Sequence, residues 1–128
     1  AALAASQGVD TISGVEALTI DGREGFDTFN VTPGSIPIFI DGGDPIGAGD
    51  VLTVNADTSA VFMPGAENDE GSFTIDGQQP VSFDQIEAVN VNDPVTAASP
   101  LSVTVMGTGA NDRITAVGQG AKIALYST

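Results

Sequence analysis

Apolar side chains along this chain recur at every second position. In IPIFID, Ile36, Ile38 and Ile40 fall on one side of an extended backbone, and in LSVTVM, Leu101, Val103 and Val105 do the same. VLTVN, SFTID and KIALYS repeat the alternation. A period of two is the signature of a strand with one buried face, whereas a helix would bury every third or fourth residue. Val, Ile and Thr dominate these runs, and their branched side chains suit a pleated surface. Between the runs lie Gly, Pro, Asn and Asp clusters: DGREG, TPGS, DGGDPIGAG, NADTS, PGAENDEG, DGQQP, NDP, GTGAND and GQGA. Such residues supply the backbone angles of tight turns. The pattern predicts about ten short strands and no helix. The six Phe residues, at positions 26, 29, 39, 62, 73 and 83, are expected mostly in the core.

The strands also repeat. GVEALTID, from Gly14, aligns with QIEAVNVN, from Gln85, at an offset of 71 that places Glu16 on Glu87. FDTFNVTPGSIPIFID, from Phe26, aligns with NDRITAVGQGAKIALY, from Asn111, at an offset of 85 that places Asp27 on Asp112. A shorter theme runs through the chain: Asp, any residue, a hydrophobe, then Ser, Thr or Asn. It starts at Asp10, Asp27, Asp50 and Asp112. Repeated strand-turn units that cannot bury an apolar face alone stack on their neighbours. The expected fold is therefore all-β, a parallel β-solenoid (β-helix or β-roll-like) of stacked short strands. The alternative is an antiparallel β-sandwich. Residues 1–128 read as one β-repeat domain, with repeat one at about 14–84 and a partial repeat two at about 85–128, within a longer array or assembly. In a stack, the carboxylates of Glu16 and Glu87 are placed to accept backbone amides of an adjoining coil; in any other arrangement they are solvated.

Charge narrows the function. Seventeen Asp and Glu face three Lys and Arg, a formal net charge of −14. Such a surface repels nucleic-acid phosphates and anionic lipid alike, so neither partner is expected. No apolar run approaches the ~18 residues of a membrane-crossing helix. With no Cys and no His, thiol chemistry, Cys-ligated zinc and the commonest general base are excluded. Arg23, Arg113 and Lys122 are the only cationic side chains, Trp is absent and Tyr126 is the single Tyr, so sugar-stacking platforms and transition-state cations are scarce. No nucleophile elbow or phosphate-binding loop occurs. No enzyme activity is expected.

Carboxylates in Gly-rich turns suggest a hard cation. Calcium takes six to eight oxygens, from carboxylates and backbone carbonyls, and glycines let carbonyls converge without side-chain clashes. The candidate ligands are Asp41, Asp44 and Asp50 in DGGDPIGAGD, together with Asn111 and Asp112, with Asp27 a weaker third. The competing role for each is turn-capping, the side chain accepting a nearby amide. GTGANDRIT, from Gly107 to Thr115, resembles a degenerate unit of the repeats-in-toxin nonapeptide, with Gly107 at its first glycine, Asp112 at its aspartate and Ile114 at its hydrophobe. That resemblance implies bound Ca2+. SGVEALTID, DQIEAVNVN and the run DTFNVTPGSIPIFIDGGDPIGAGDVLTVNAD are similar to tandem repeats of secreted bacterial surface-layer and adhesin-like β-solenoid proteins. They imply a structural module, extracellular or on the cell surface, that associates end to end with copies of itself or with neighbouring repeats. A sandwich would instead imply a binding module for a glycan or protein.

Overall fold

A computed structural model describes residues 12–44, 47, 49–57, 59–93, 101–119 and 122–127. Among these residues the chain forms eleven strands and no helix: β1 (Leu18–Asp21), β2 (Thr28–Val31), β3 (Ile38–Asp41), β4 (Val51–Asn55), β5 (Ser59–Pro64), β6 (Gly71–Ile75), β7 (Val81–Asp84), β8 (Ala88–Asn92), β9 (Ser102–Val105), β10 (Ile114–Gln119) and β11 (Lys122–Ser127). The alternating runs IPIFID, VLTVN, SFTID and KIALYS all fall on strands, so the protein is all-β.

Two parallel ladders organise the first part of the chain. In one, β1, β3 and β7 lie side by side, with Leu18 opposite Ile38 and Ile38 opposite Val81. In the other, β2, β4 and β8 do the same, with Thr28 opposite Val51 and Val51 opposite Ala88. The chain visits the ladders alternately, so β1–β2, β3–β4 and β7–β8 are three successive rungs. Between β4 and β7, the antiparallel hairpin β5–β6 adds to the first ladder, with β6 against β7 and β9 parallel to β5 at the far edge. Strands β10 and β11 form a separate antiparallel pair. The sheets are thus mixed and parallel.

The core follows from the alternation. Ile40, Val81 and Phe83 point inward from one ladder, and Val31, Leu52 and Val54 from the other; together they form one buried cluster. Ile40, Leu52, Val54 and Val81 are wholly buried, each contributing about 1.5–3 kcal/mol by leaving water. The hairpin adds Phe73 and Ile75 to the same cluster. Phe62, Phe73 and Phe83 meet with ring centroids 5.1 to 6.2 Å apart, which ties the hairpin to the third rung. Two phenylalanines depart from the expected core position. Phe39 takes the outward place on β3, and Phe26 lies in a connection between ladders; both are exposed.

The pairing registers are shorter than the sequence offsets of 71 and 85. Leu18 pairs 20 residues on, with Ile38, and Thr28 pairs 23 residues on, with Val51. Ile38 meets Val81 and Val51 meets Ala88, because the hairpin is inserted between those rungs. Glu16 precedes β1 and Glu87 precedes β8, so the two flank different ladders.

Candidate functional site

Each rung turns a corner between the first ladder and the second. The strand before the corner ends in Asp21, Asp41 or Asp84, and these three stand opposite one another in register. The strand after it is entered through Asp27, Asp50 or Glu87, one residue ahead of the paired positions Thr28, Val51 and Ala88. The corner segments 21–27, 41–50 and 84–87 hold eight of the 17 acidic residues and one basic residue, Arg23. Its guanidinium lies 3.9 Å from Asp21 with both side chains exposed, a pair of little energetic consequence.

The second carboxylate column is bonded from rung to rung. The amide of Asp27 donates to Asp50 Oδ1 at 2.6 Å, and the amide of Asp50 donates to Glu87 Oε2 at 2.6 Å. Main-chain bonds run beside them, from Val51 N to Asp27 O at 2.9 Å and from Ala88 N to Asp50 O at 3.1 Å. Every side-chain acceptor therefore serves the rung that precedes it in sequence. A backbone amide bonded to a carboxylate is worth about 1.5–3 kcal/mol. Asp50 is wholly buried. Its Oδ2, and Oδ2 of Asp27, are buried with no hydrogen-bond partner. The column explains the recurrence of Asp-x-hydrophobe-Ser/Thr/Asn at Asp27 and Asp50: the Asp is the corner acceptor, the hydrophobe is the inward residue (Phe29, Leu52), and the polar residue faces out.

Glycine makes the corner tight. A Cβ on Gly42 would lie 2.1 Å from Gln85 O and 2.8 Å from Asp50 Oδ2; one on Gly22 would lie 2.7 Å from Gly42 O and 3.0 Å from Asp27 Oδ2. The third rung carries Gln85 at the matching place, with φ of 55°. The hairpin closes over that rung: β6 occupies the free edge of β7, and Asp69 O accepts the amide of Ile86 at 2.9 Å. At the other end of the second ladder an amide ladder continues the stacking. Asn55 Nδ2 donates to Asn30 Oδ1 at 2.7 Å and to Thr32 Oγ1 at 3.0 Å, while Asn92 Nδ2 donates to Asn55 Oδ1 at 3.0 Å.

The five residues expected to hold a metal occupy separate settings. Asp50 belongs to the corner column. Asp41 Oδ1 accepts the amide of Gly43 at 3.1 Å, which closes a turn. Asp44 is exposed and its carbonyl accepts the amide of Gly25. Asp112 accepts the amide and the hydroxyl of Thr108 at 2.8 and 2.7 Å, and Asn111 beside it is exposed. GTGANDRIT is thus a turn between β9 and β10, drawn together by its own aspartate. Among the described residues no three acidic side chains gather around one point. Of the two roles open to it, ladder acceptor or solvated carboxylate, Glu87 takes the ladder role, accepting the amide of Asp50. Asp27, a weaker calcium candidate and a member of the Asp-x-hydrophobe theme in the sequence, belongs to the corner column with Asp50. Asp10, where that theme begins, lies outside the described residues.

Comparison with family models, with curated proteins and with solved structures finds no match to this chain.

Proposed function

We propose that this chain is a structural module, a short β-solenoid that serves as a spacer or assembly unit in an extracellular bacterial surface, filament or adhesin-like protein. The observation that carries the reading is the rung-to-rung bonding. Three strand pairs alternate between two parallel ladders, and at the corner both main-chain and carboxylate bonds run along the stack rather than within a rung. The Asn55 ladder repeats that logic at the far end of the second ladder. Stability distributed along one axis suits a part that transmits force and holds distance. The acidic, Cys-free composition supports a well-hydrated exterior in which no disulfide is needed. The hairpin over β7 limits coil addition at that end, so the association partner on this reading is a neighbouring coil placed against β1 and β2.

The test is mechanical and topographic. Pulled from its ends in a force spectrometer, the module yields a sawtooth with steps of one rung or one hairpin, and antibodies against it label intact bacteria of the source without permeabilisation. A featureless extension at low force, or labelling only after lysis, refutes the proposal.

A further inference from the structure

The orphaned oxygens at the corner define a need that the protein chain leaves unmet. Asp50 is wholly buried, yet only Oδ1 has a donor; Oδ2 faces none. Oδ2 of Asp27, one rung earlier in the same column, is in the same condition. Each borders a glycine that a carbonyl also borders. A Cβ on Gly42 would meet Asp50 Oδ2 at 2.8 Å and Gln85 O at 2.1 Å, and one on Gly22 would meet Asp27 Oδ2 at 3.0 Å and Gly42 O at 2.7 Å. Among the described residues the one basic group at this corner, Arg23, is turned to Asp21. Buried charge without a counter-charge is costly, and buried acceptors without donors are rare in folded proteins.

We propose that a calcium-sized cation sits between Asp27 and Asp50 at this corner, ligated by the two Oδ2 atoms. Adjacent strands lie about 4.8 Å apart. Were the two Oδ2 atoms separated by that same spacing, an ion midway would lie about 2.4 Å from each, within the ~2.3–2.6 Å range of calcium and beyond the ~2.0–2.1 Å that magnesium requires. The carbonyl oxygens of Gly42 and Gln85 border the same two glycines as the acid oxygens and are the candidates for further hard ligands. This location differs from the Asp112 turn, whose carboxylate is already engaged with Thr108. The inference rests on the stacked-rung reading, since it is the rung spacing that sets the ion's fit.

The experiment uses the whole chain. Thermal melts followed by circular dichroism are run in millimolar calcium and in excess chelator, with calorimetric titration of calcium alone. The unaltered protein, Asp27→Asn, Asp50→Asn and Asp112→Asn are compared. Calcium at a hundredfold excess over its dissociation constant raises the midpoint of the unaltered protein by about 10 °C. Asp27→Asn and Asp50→Asn abolish that rise, while Asp112→Asn keeps it. In chelator the order inverts: Asp50→Asn melts no lower than the unaltered protein, because an amide removes the uncompensated charge. Should Asp50→Asn not fold, Asp27→Asn at the half-buried member of the pair decides alone. A melt indifferent to calcium, or a rise that survives both substitutions, overturns the site. Failure of the stacked-rung reading registers separately, as a Gly42→Ala variant in chelator that is as stable as the parent.

Discussion

A single methyl group at Gly42 measures how closely the rungs approach. Its carbon would stand 2.1 Å from Gln85 O, 2.8 Å from Asp50 Oδ2 and 2.9 Å from Ile86 Cδ1. An ordinary carbon–oxygen contact is about 3.3 Å or more, so the second and third rungs must part locally by roughly 1 Å. The obstacle is backbone, held by the bond from Gly42 N to Asp84 O at 3.0 Å, and beside it Ile86 is fully packed. Forced overpacking costs about 1–3 kcal/mol. Loss of the Gly42 amide bond adds about 0.5–1.5 kcal/mol, and loss of the bond from the Asp50 amide to the Glu87 carboxylate about 1.5–3 kcal/mol. The expected destabilisation of Gly42→Ala is therefore about 3–7 kcal/mol, read from urea unfolding with an unchanged slope. Two other glycines supply the scale. Gly34 has open space and an ordinary backbone angle, so Gly34→Ala is neutral or stabilising by up to about 1 kcal/mol. Gly77 has open space but φ of 76°, so Gly77→Ala costs about 1–2 kcal/mol from conformation alone. If Gly42→Ala costs no more than Gly77→Ala, the close stacking of Gly42 on Gln85 is wrong.

Glu87→Ala removes the acceptor of the Asp50 amide and costs about 1–3 kcal/mol in chemical denaturation, whereas Glu87→Gln, which keeps an acceptor oxygen, costs less than half as much; equal costs would mean that the carboxylate acts through charge alone. Asn55→Ala breaks the amide ladder on both sides and, being at a half-buried position, costs about 1–2 kcal/mol by the same assay, with no change expected in the calcium response. Phe73→Ala empties the aromatic contact between the hairpin and the third rung and costs about 3–5 kcal/mol; in hydrogen exchange the amides of β5 and β6 lose protection before those of β2 and β4, and the reverse order would show that the hairpin is not anchored through its rings.

Alternation made the strands legible, because side-chain direction in an extended chain is set by position alone. Ile38, Ile40, Leu52 and Val54 face inward as their spacing requires. Partner choice was harder to read. GVEALTID and QIEAVNVN look alike because both carry a Glu ahead of alternating hydrophobes, yet β1 and β8 belong to different ladders. In a structure whose ladders both demand inward hydrophobes every second residue, similarity between strands reports the common environment and not the pairing. The truer signal was the Asp-x-hydrophobe theme, since Asp27 and Asp50 mark the same point in successive rungs. The calcium candidates were chosen from Gly-rich composition, which a turn capped by its own aspartate satisfies equally well, as Thr108 and Asp112 demonstrate. Asp27 sits in a less Gly-rich corner and is the weaker candidate on composition. What sets it beside Asp50 is an unpartnered oxygen, a property of three-dimensional packing that composition does not carry.

The corner column also has a direction in time. Each carboxylate serves the rung made before it, so a rung leaving the ribosome presents an amide whose acceptor has not yet been synthesised. Asp27 N waits for Asp50, and Asp50 N waits for Glu87, 37 residues later. The newest rung on a growing chain is always the incomplete one, and every addition locks its predecessor. The hairpin between β4 and β7 lengthens the second wait and then closes over the third rung. A chain stalled before Glu87 keeps two rungs with an unfinished edge, the form most open to pairing with the wrong strand. Glu87 supplies the last acceptor of that column, just ahead of the strand that pairs with β4.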